Sequence, residues 1–373
     1  MRGVGEEALL PYYLKNGRGR ECGMVDYTDL ENVHRHVVAT IVSPSFSVPV
    51  PRVQNVHLVP KPVLEAMRAG WLTGTHAERP ITVTKLFDVY VTEEGLVFTH
   101  DKKLIAQTIA QHSSEECQRA FERLHAVTDV VEVTEPGLLL RKRGDHNYGH
   151  WMVELLPRLW LAEQFMTPQR LVVPDAGNAM THVIRDSIVL SSTQPHQFLA
   201  LDNQAVCFFK DLSIVEGLTD HGVYMSPLVF AQTDAMRACV PEVAPQRLYV
   251  VRSGSPRAVV QEPEIRALLQ HYGFRVVNPA ELTFLEQVQL FKSAECVVGV
   301  MGAGMTNTLF CPRGAKVITL APATMPDTFF AFIAGLRGLY YHEIRGQMME
   351  ADTTQWDGPF SIMPAQLAAL LEA

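Results

Sequence analysis

Apolar positions along this chain fall into short β-branched runs, and past residue 246 those runs alternate with helical periodicity. LYVVR, RVVNP, ECVVGV and AKVITLAP read as strands. EPEIRALLQHYG, TFLEQVQLFKSA and GAGMTNTLF place apolar residues three and four apart and read as the helices between them. Strands alternating with helices predict a parallel sheet covered on both faces, with its ligand outside the carboxyl ends of the strands. Upstream the pattern changes. Residues 1–35 are polar and mixed. HVVATIV, FSVPVPRV, VQNVHLV and ITVTKLFDVYVTEEGLVFT are β-rich, the last a hairpin turning at Glu93-Glu94-Gly95. Residues 103–126 carry a helical pattern, Leu138–Leu140 a short strand, and 145–165 a helix that Asn147 can cap and Pro157 should kink or restart. RLVVP, MTHVIRDSIVL, QFLAL and CFFKDLSIVEGL continue the alternation, with a helix over 226–239. A helix around Phe329–Gly338, a strand LYYHEI and a helix Pro364–Glu372 close it.

The fold class expected is α/β, with two Rossmann-like domains facing a cleft and an extra β-rich segment in the first. Val240–Gln246 (VPEVAPQ) predicts the linker, separating residues 1–240 (a β-rich lead-in over 1–130, α/β over 131–240) from 241–373, with the terminal helix crossing back. The length of 373 residues suits two domains, and 47% hydrophobic residues fill two cores. A net charge of −8 without a basic tract disfavours nucleic acid as a partner. The scattered cysteines, the lack of an apolar leader and the lack of a long apolar run lead to the expectation of a reducing, cytoplasmic setting without a transmembrane segment, peripheral membrane contact remaining open.

The stretch with most chemistry is VVGVMGAGMTN, residues 297–307: a strand, a glycine turn and a short helix. Such a turn aims free amides and the positive end of a helix at one place, which suits a phosphate. Arg252-Ser-Gly-Ser-Pro-Arg257 follows another strand on the same sheet edge and adds two guanidinium groups. Thr283 and Glu286 form a capping box, which accounts for Glu286 without a functional role. Glu281 and Asn278 are left as candidates for a ribose or base. His146, His150 and Glu154 recur every fourth residue; a His–Glu pair at that spacing suits a general base held by a carboxylate, and a satisfied histidine beside a core tryptophan is the plainer alternative. The glycine turn lies late in its domain, the third glycine of a dinucleotide fingerprint is replaced by Asn307, and no P-loop or D-x-D occurs, so NAD and a metal-chelated sugar nucleotide are disfavoured.

D-H-N-Y-G-H-W with E-x-x-P-R, R-x-x-x-x-R after a strand, G-F-x-V-x-P-x-E-L-x-x-x-E-Q and G-x-x-G-A-G-M-T-N-x-x-F together resemble glycosyltransferase family 61, from about Asp145 to Leu320. The resemblance implies a two-Rossmann, GT-B type, inverting transferase; members act on xylan, protein O-glycans and bacterial capsular or surface polysaccharides. Where the family's glycine motif carries a histidine, Met301 stands here. The implied partners are a nucleotide-sugar donor and a glycan or other hydroxyl acceptor, with no cofactor and no metal required. The diphosphate falls to Arg252, Arg257, Gly302, Ala303, Gly304, Thr306 and Asn307; the base is His150 oriented by Glu154, with Asp145 as rival. The alternatives are a non-catalytic nucleotide-sugar or glycan-binding protein and a sugar-nucleotide epimerase.

Overall fold

The structure, a computed structural model, describes residues 25–192, 194–201, 205–252, 254, 256–349 and 357–372. Most of the lead-in expected over 1–35, and Cys22 with it, lies outside the described residues. The rest is α/β and forms two compact units: a middle unit of residues 25–44 and 78–219, and a C-terminal unit of 45–77 and 220 onward.

In the C-terminal unit the strands run, across the sheet, Arg275–Val277, Gln246–Val250, Ala294–Val300, Lys316–Pro322 and Tyr340–Met348, all parallel. In chain order that is 2-1-3-4-5, a doubly wound sheet whose strand order reverses between Gln246–Val250 and Ala294–Val300. The arginine loop and the glycine turn leave the sheet at that reversal. Val298, Val300, Ile318, Leu320 and Ile344 are buried on it because a two-sided sheet has no solvated face. The segment between the last two of these strands and the helices is as the periodicity predicts, with one difference: Ala303–Phe310 winds as a 3-10 helix rather than an α-helix.

The middle unit carries its own parallel set, ordered Gln197–Leu201, Arg170–Pro174, Gly137–Leu139, Val206–Glu216, or 3-2-1-4 in chain order. Antiparallel strands Arg79–Thr92 and Arg35–Ser43 extend it past Val206–Glu216. The hairpin turns at Glu93–Gly95 as expected, Gly95 taking φ +80° against the Arg141 backbone. Val89, Leu139, Val172, Phe209 and Leu212 form its core.

The expected division at 240/241 differs from these units. Arg52–Gln54 pairs with His342–Ile344 at the edge of the C-terminal sheet, although it falls in the stretch read as N-terminal. Helix Val229–Cys239 packs on helix Phe284–Lys292 and on the 3-10 helix, and Arg337 reaches Asp234 at 2.5 Å. Val240–Gln246 is therefore a connection inside one unit, tied down by Lys292 Nζ to the Val240 carbonyl (2.6 Å). Helix Lys61–Leu72 falls within the stretch read as β-rich: Pro62 sits in its first turn, where the missing N–H costs nothing. Val63, Met67 and Trp71, four apart, are its buried face.

Candidate functional site

The glycine turn is gripped by both arginines. Arg252 Nη1 donates to the Met301 carbonyl at 2.8 Å, and Arg257 Nη1 donates to the same oxygen at 2.6 Å. Met301 is fixed in turn by its own amide bonding the Leu320 carbonyl (2.8 Å). Two like charges are thus held together beside the first amides of the 3-10 helix, those of Ala303 and Gly304, which have no partner inside a helix. Burial and the neighbouring Arg257 lower the pKa of Arg252, while Asp357 opposes them. Asp357 also accepts from Arg257 Nε at 3.1 Å. Gly302 is required by proximity: a Cβ there would lie 1.7 Å from Arg252 Nη1. A Cβ on Gly304 would stand 3.3 Å from Val250 and 3.4 Å from Pro279.

Other predicted donor residues are placed differently. Thr306 and Asn307 are fully buried. Asn307 Nδ2 bonds Gln287 (2.9 Å) and the Gly304 carbonyl (3.2 Å), so its amide braces the turn from inside. Asn278 caps the short helix Pro279–Glu281 and donates to Glu281 Oε1 at 2.7 Å, which gives that pair a structural account. The Thr283–Glu286 capping box is present. Met301 is fully buried, so position 301 contributes core volume and a carbonyl rather than a polar side chain.

In the middle unit, the loop after Gly137–Leu139 leads into the His150 helix at the strand-order reversal. Asn147 caps it, accepting from the Gly149 amide at 2.8 Å. Pro157 lacks an N–H and crowds the carbonyl four residues back. The helix answers with a π turn over Trp151–Leu155 and resumes as α at Leu156. His150 and Glu154 meet across it, Nδ1 to Oε1 at 2.7 Å. We assign the hydrogen to Nδ1 on the shorter contact, since the Glu154 carboxylate only accepts, which leaves Nε2 as the basic nitrogen. The other Glu154 oxygen takes Lys142 Nζ, which lies 3.2 Å from His150 Nδ1 and donates to Gln111 at 2.7 Å. Lys142 and Glu154 are 4% and 5% exposed. Burial lowers the pKa of Lys142, with Glu154 pulling it back up. Burial likewise lowers that of Arg158, which faces Glu154 and Glu216. It raises the phenol of Tyr148, removing it as a base at neutral pH. Gly144, at φ +76°, leaves room for His150: a Cβ would stand 3.2 Å from Nε2.

Asp145 is bound differently from its assignment as rival base. Its Oδ2 takes Arg141 Nε and, at 3.4 Å, the Lys142 amide. His146 is 74% exposed on the side chain and stands outside the His150–Glu154 pair, because it precedes the cap. Lys142 and Gln111 are the members of this cluster that the sequence did not flag; Arg158 is the arginine of E-x-x-P-R. The signal available for Lys142 was its place in R-K-R-G directly after a parallel strand.

Residues 148–318 match the protein-family model described as Glycosyltransferase 61. The EGF domain-specific O-linked N-acetylglucosamine transferase of Drosophila melanogaster is 27% identical over 140 residues, covering 36% of this chain and 26% of the relative. The human protein O-linked-mannose beta-1,4-N-acetylglucosaminyltransferase 2 is 34% identical over 112 residues, covering 28% of this chain and 19% of its own length. The chain thus spans about a quarter or less of the relatives it is similar to. Among the described residues no helix is long and apolar enough to cross a membrane.

Proposed function

We propose, from the premise that this chain carries a glycosyltransferase family 61 domain over residues 148–318, that it transfers a sugar from a nucleoside-diphosphate sugar to a hydroxyl acceptor with inversion. The observation that carries the reading is the pair of guanidinium groups fixed on the Met301 carbonyl at the strand-order reversal. There they meet the growing charge of a leaving diphosphate together with the Gly302–Gly304 backbone, the part a metal ion plays in other transferases. Asn278 and Glu281, in the loop after Arg275–Val277, are offered to the ribose or base.

In the reaction the acceptor oxygen attacks the anomeric carbon as the bond from that carbon to the diphosphate oxygen breaks. The bonding pair leaves with the diphosphate, and the acceptor proton passes to a base. We assign the base to His150 Nε2. Glu154 holds the tautomer and stabilises the imidazolium that forms, while Lys142 pairs with the other Glu154 oxygen. Asp145, tied to Arg141, is assigned to the loop rather than to the proton. The C-terminal unit then serves the donor.

Thermal shift with nucleoside diphosphates, first without metal and then with magnesium, tests the donor half. Saturation at about a hundred times Kd stabilises by about 2.7 kcal/mol, a shift of a few degrees. The shift should occur without metal and vanish in Arg252→Ala. No shift with any diphosphate removes the donor site. Binding without hydrolysis of any donor would favour the second reading, a non-catalytic nucleotide-sugar binder, which the buried Met301 motivates.

A further inference from the structure

The middle unit has a pocket of about 350 Å³ that the proposed donor site and base do not use. It lies at the carboxyl ends of three adjacent parallel strands. Arg141 and Asp145 follow Gly137–Leu139, Pro174, Asp175 and Ala176 end Arg170–Pro174 and run on, and Leu201 ends Gln197–Leu201. That is the edge at which open α/β sheets bind ligands, and the volume is at the small end for ligand cavities.

Its chemistry is selective. The guanidinium lining it is engaged: Arg141 gives Nε to Asp145 and Nη2 and Nη1 to the carbonyls of Glu93 and Leu201, all of them lining residues. What remains toward the cavity is mostly acceptors, with the exposed imidazole of His146 among them. Asp145 is 4% exposed, yet only Oδ2 is bonded; Oδ1 has no hydrogen bond among the described residues, His146 Nδ1 standing 4.0 Å away. Lining the cavity, that oxygen can accept from water or from a ligand hydroxyl. Asp175 adds an exposed carboxylate, and Glu93, paired with Arg123, a third. Pro174, Ala176 and Leu201 form an apolar wall. Carboxylates that accept, beside an apolar wall, match a sugar ring with its hydroxyl donors and C–H face. The same carboxylates repel an anionic sugar.

We infer that this pocket binds a neutral sugar of mono- or disaccharide size and excludes its uronate counterpart. Resting on the transferase reading, it is the acceptor subsite: its loop, through Asp145 and His146, runs directly into the cap of the His150 helix.

The test is binding to the full chain without donor. Cellobiose, xylobiose and N,N′-diacetylchitobiose are titrated by saturation-transfer NMR, with cellobiouronate as the anionic partner. At least one neutral disaccharide should bind with a Kd of about 1 mM, and cellobiouronate at least about tenfold more weakly. Ala176→Trp, which fills the pocket from its partly exposed rim, should abolish binding, and Asp175→Asn should narrow the gap between neutral and anionic sugar. Binding untouched by Ala176→Trp, equal binding of the uronate, or no binding of any of the three overturns the inference. A sugar lost in Ala176→Trp from a chain that binds no nucleoside diphosphate keeps the pocket and removes the transferase. A chain that transfers sugar with an unchanged acceptor KM in Ala176→Trp does the reverse.

Discussion

Glu154→Gln keeps the volume of the side chain and removes the charge that Lys142 and Arg158 face. With Lys142 4% exposed, the ammonium left behind has almost no water to turn to. Removing one partner of a buried ion pair costs about 3–5 kcal/mol, and a glutamine oxygen that still accepts from Lys142 returns about 1 kcal/mol. The expected loss is about 2–4 kcal/mol. The pH dependence follows from the same charge. Lys142 has a folded pKa below its unfolded value of 10.5, because burial outweighs the pull of Glu154. In that window the unfolded chain holds more protons, so stability rises with pH from the folded value up to the unfolded one. Without Glu154 the folded pKa falls further, and the variant should regain stability on the way from neutral pH to 10.5 more steeply than the parent. Lys142→Met added to Glu154→Gln should recover most of the loss, Arg158 keeping Glu216. The chain has two compact units, so one unfolding transition cannot be assumed. Urea dependence of hydrogen exchange, read separately in peptides covering 148–163 and 329–337, isolates the effect. A loss below about 1 kcal/mol, or a double variant no more stable than Glu154→Gln, would refute the coupling of Lys142 with Glu154.

Gly302→Ala forces Arg252 off the Met301 carbonyl, so nucleoside-diphosphate affinity should fall about tenfold with a stability loss of about 1–2 kcal/mol; calorimetry showing parental affinity would place the diphosphate elsewhere. Gly144→Ala puts a side chain at φ +76° and a Cβ 3.0 Å from His150 Cδ2. It should cost about 1 kcal/mol or more and move the acidic limb of the pH–rate profile for transfer; an unmoved limb would speak against His150 as the base. Thr283→Ala removes the capping box and should cost about 1 kcal/mol by urea unfolding. It should leave nucleotide binding unchanged, and a changed affinity would give Glu286 a role beyond the cap.

Helix caps and the strand–turn–helix at 294–310 were legible because their causes are local. Asn147 and Thr283 satisfy amides two and three residues on. The π turn was legible only as a disturbance at Pro157, since which hydrogen bonds give way depends on what the helix packs against. Thr306 and Asn307 looked like donors because they follow the glycines; a 3-10 helix of eight residues turns both inward, and Asn307 meets Gln287 from another helix.

The sequence by itself determined the α/β alternation, the glycine turn, the arginines beside it and the His150–Glu154 spacing, because each is set by neighbours within a few residues. Tertiary structure alone decided that Arg52–Gln54 completes the C-terminal sheet, that residues 220–240 belong with it, and that Arg252 and Arg257 converge on one carbonyl. It alone brought Lys142 and Gln111 to Glu154 and left one oxygen of Asp145 facing a cavity. The physical reason is the same throughout. A buried charge is stable only where distant segments supply its partners, and which segments meet is fixed by sheet order, a property of the whole chain that no local pattern encodes.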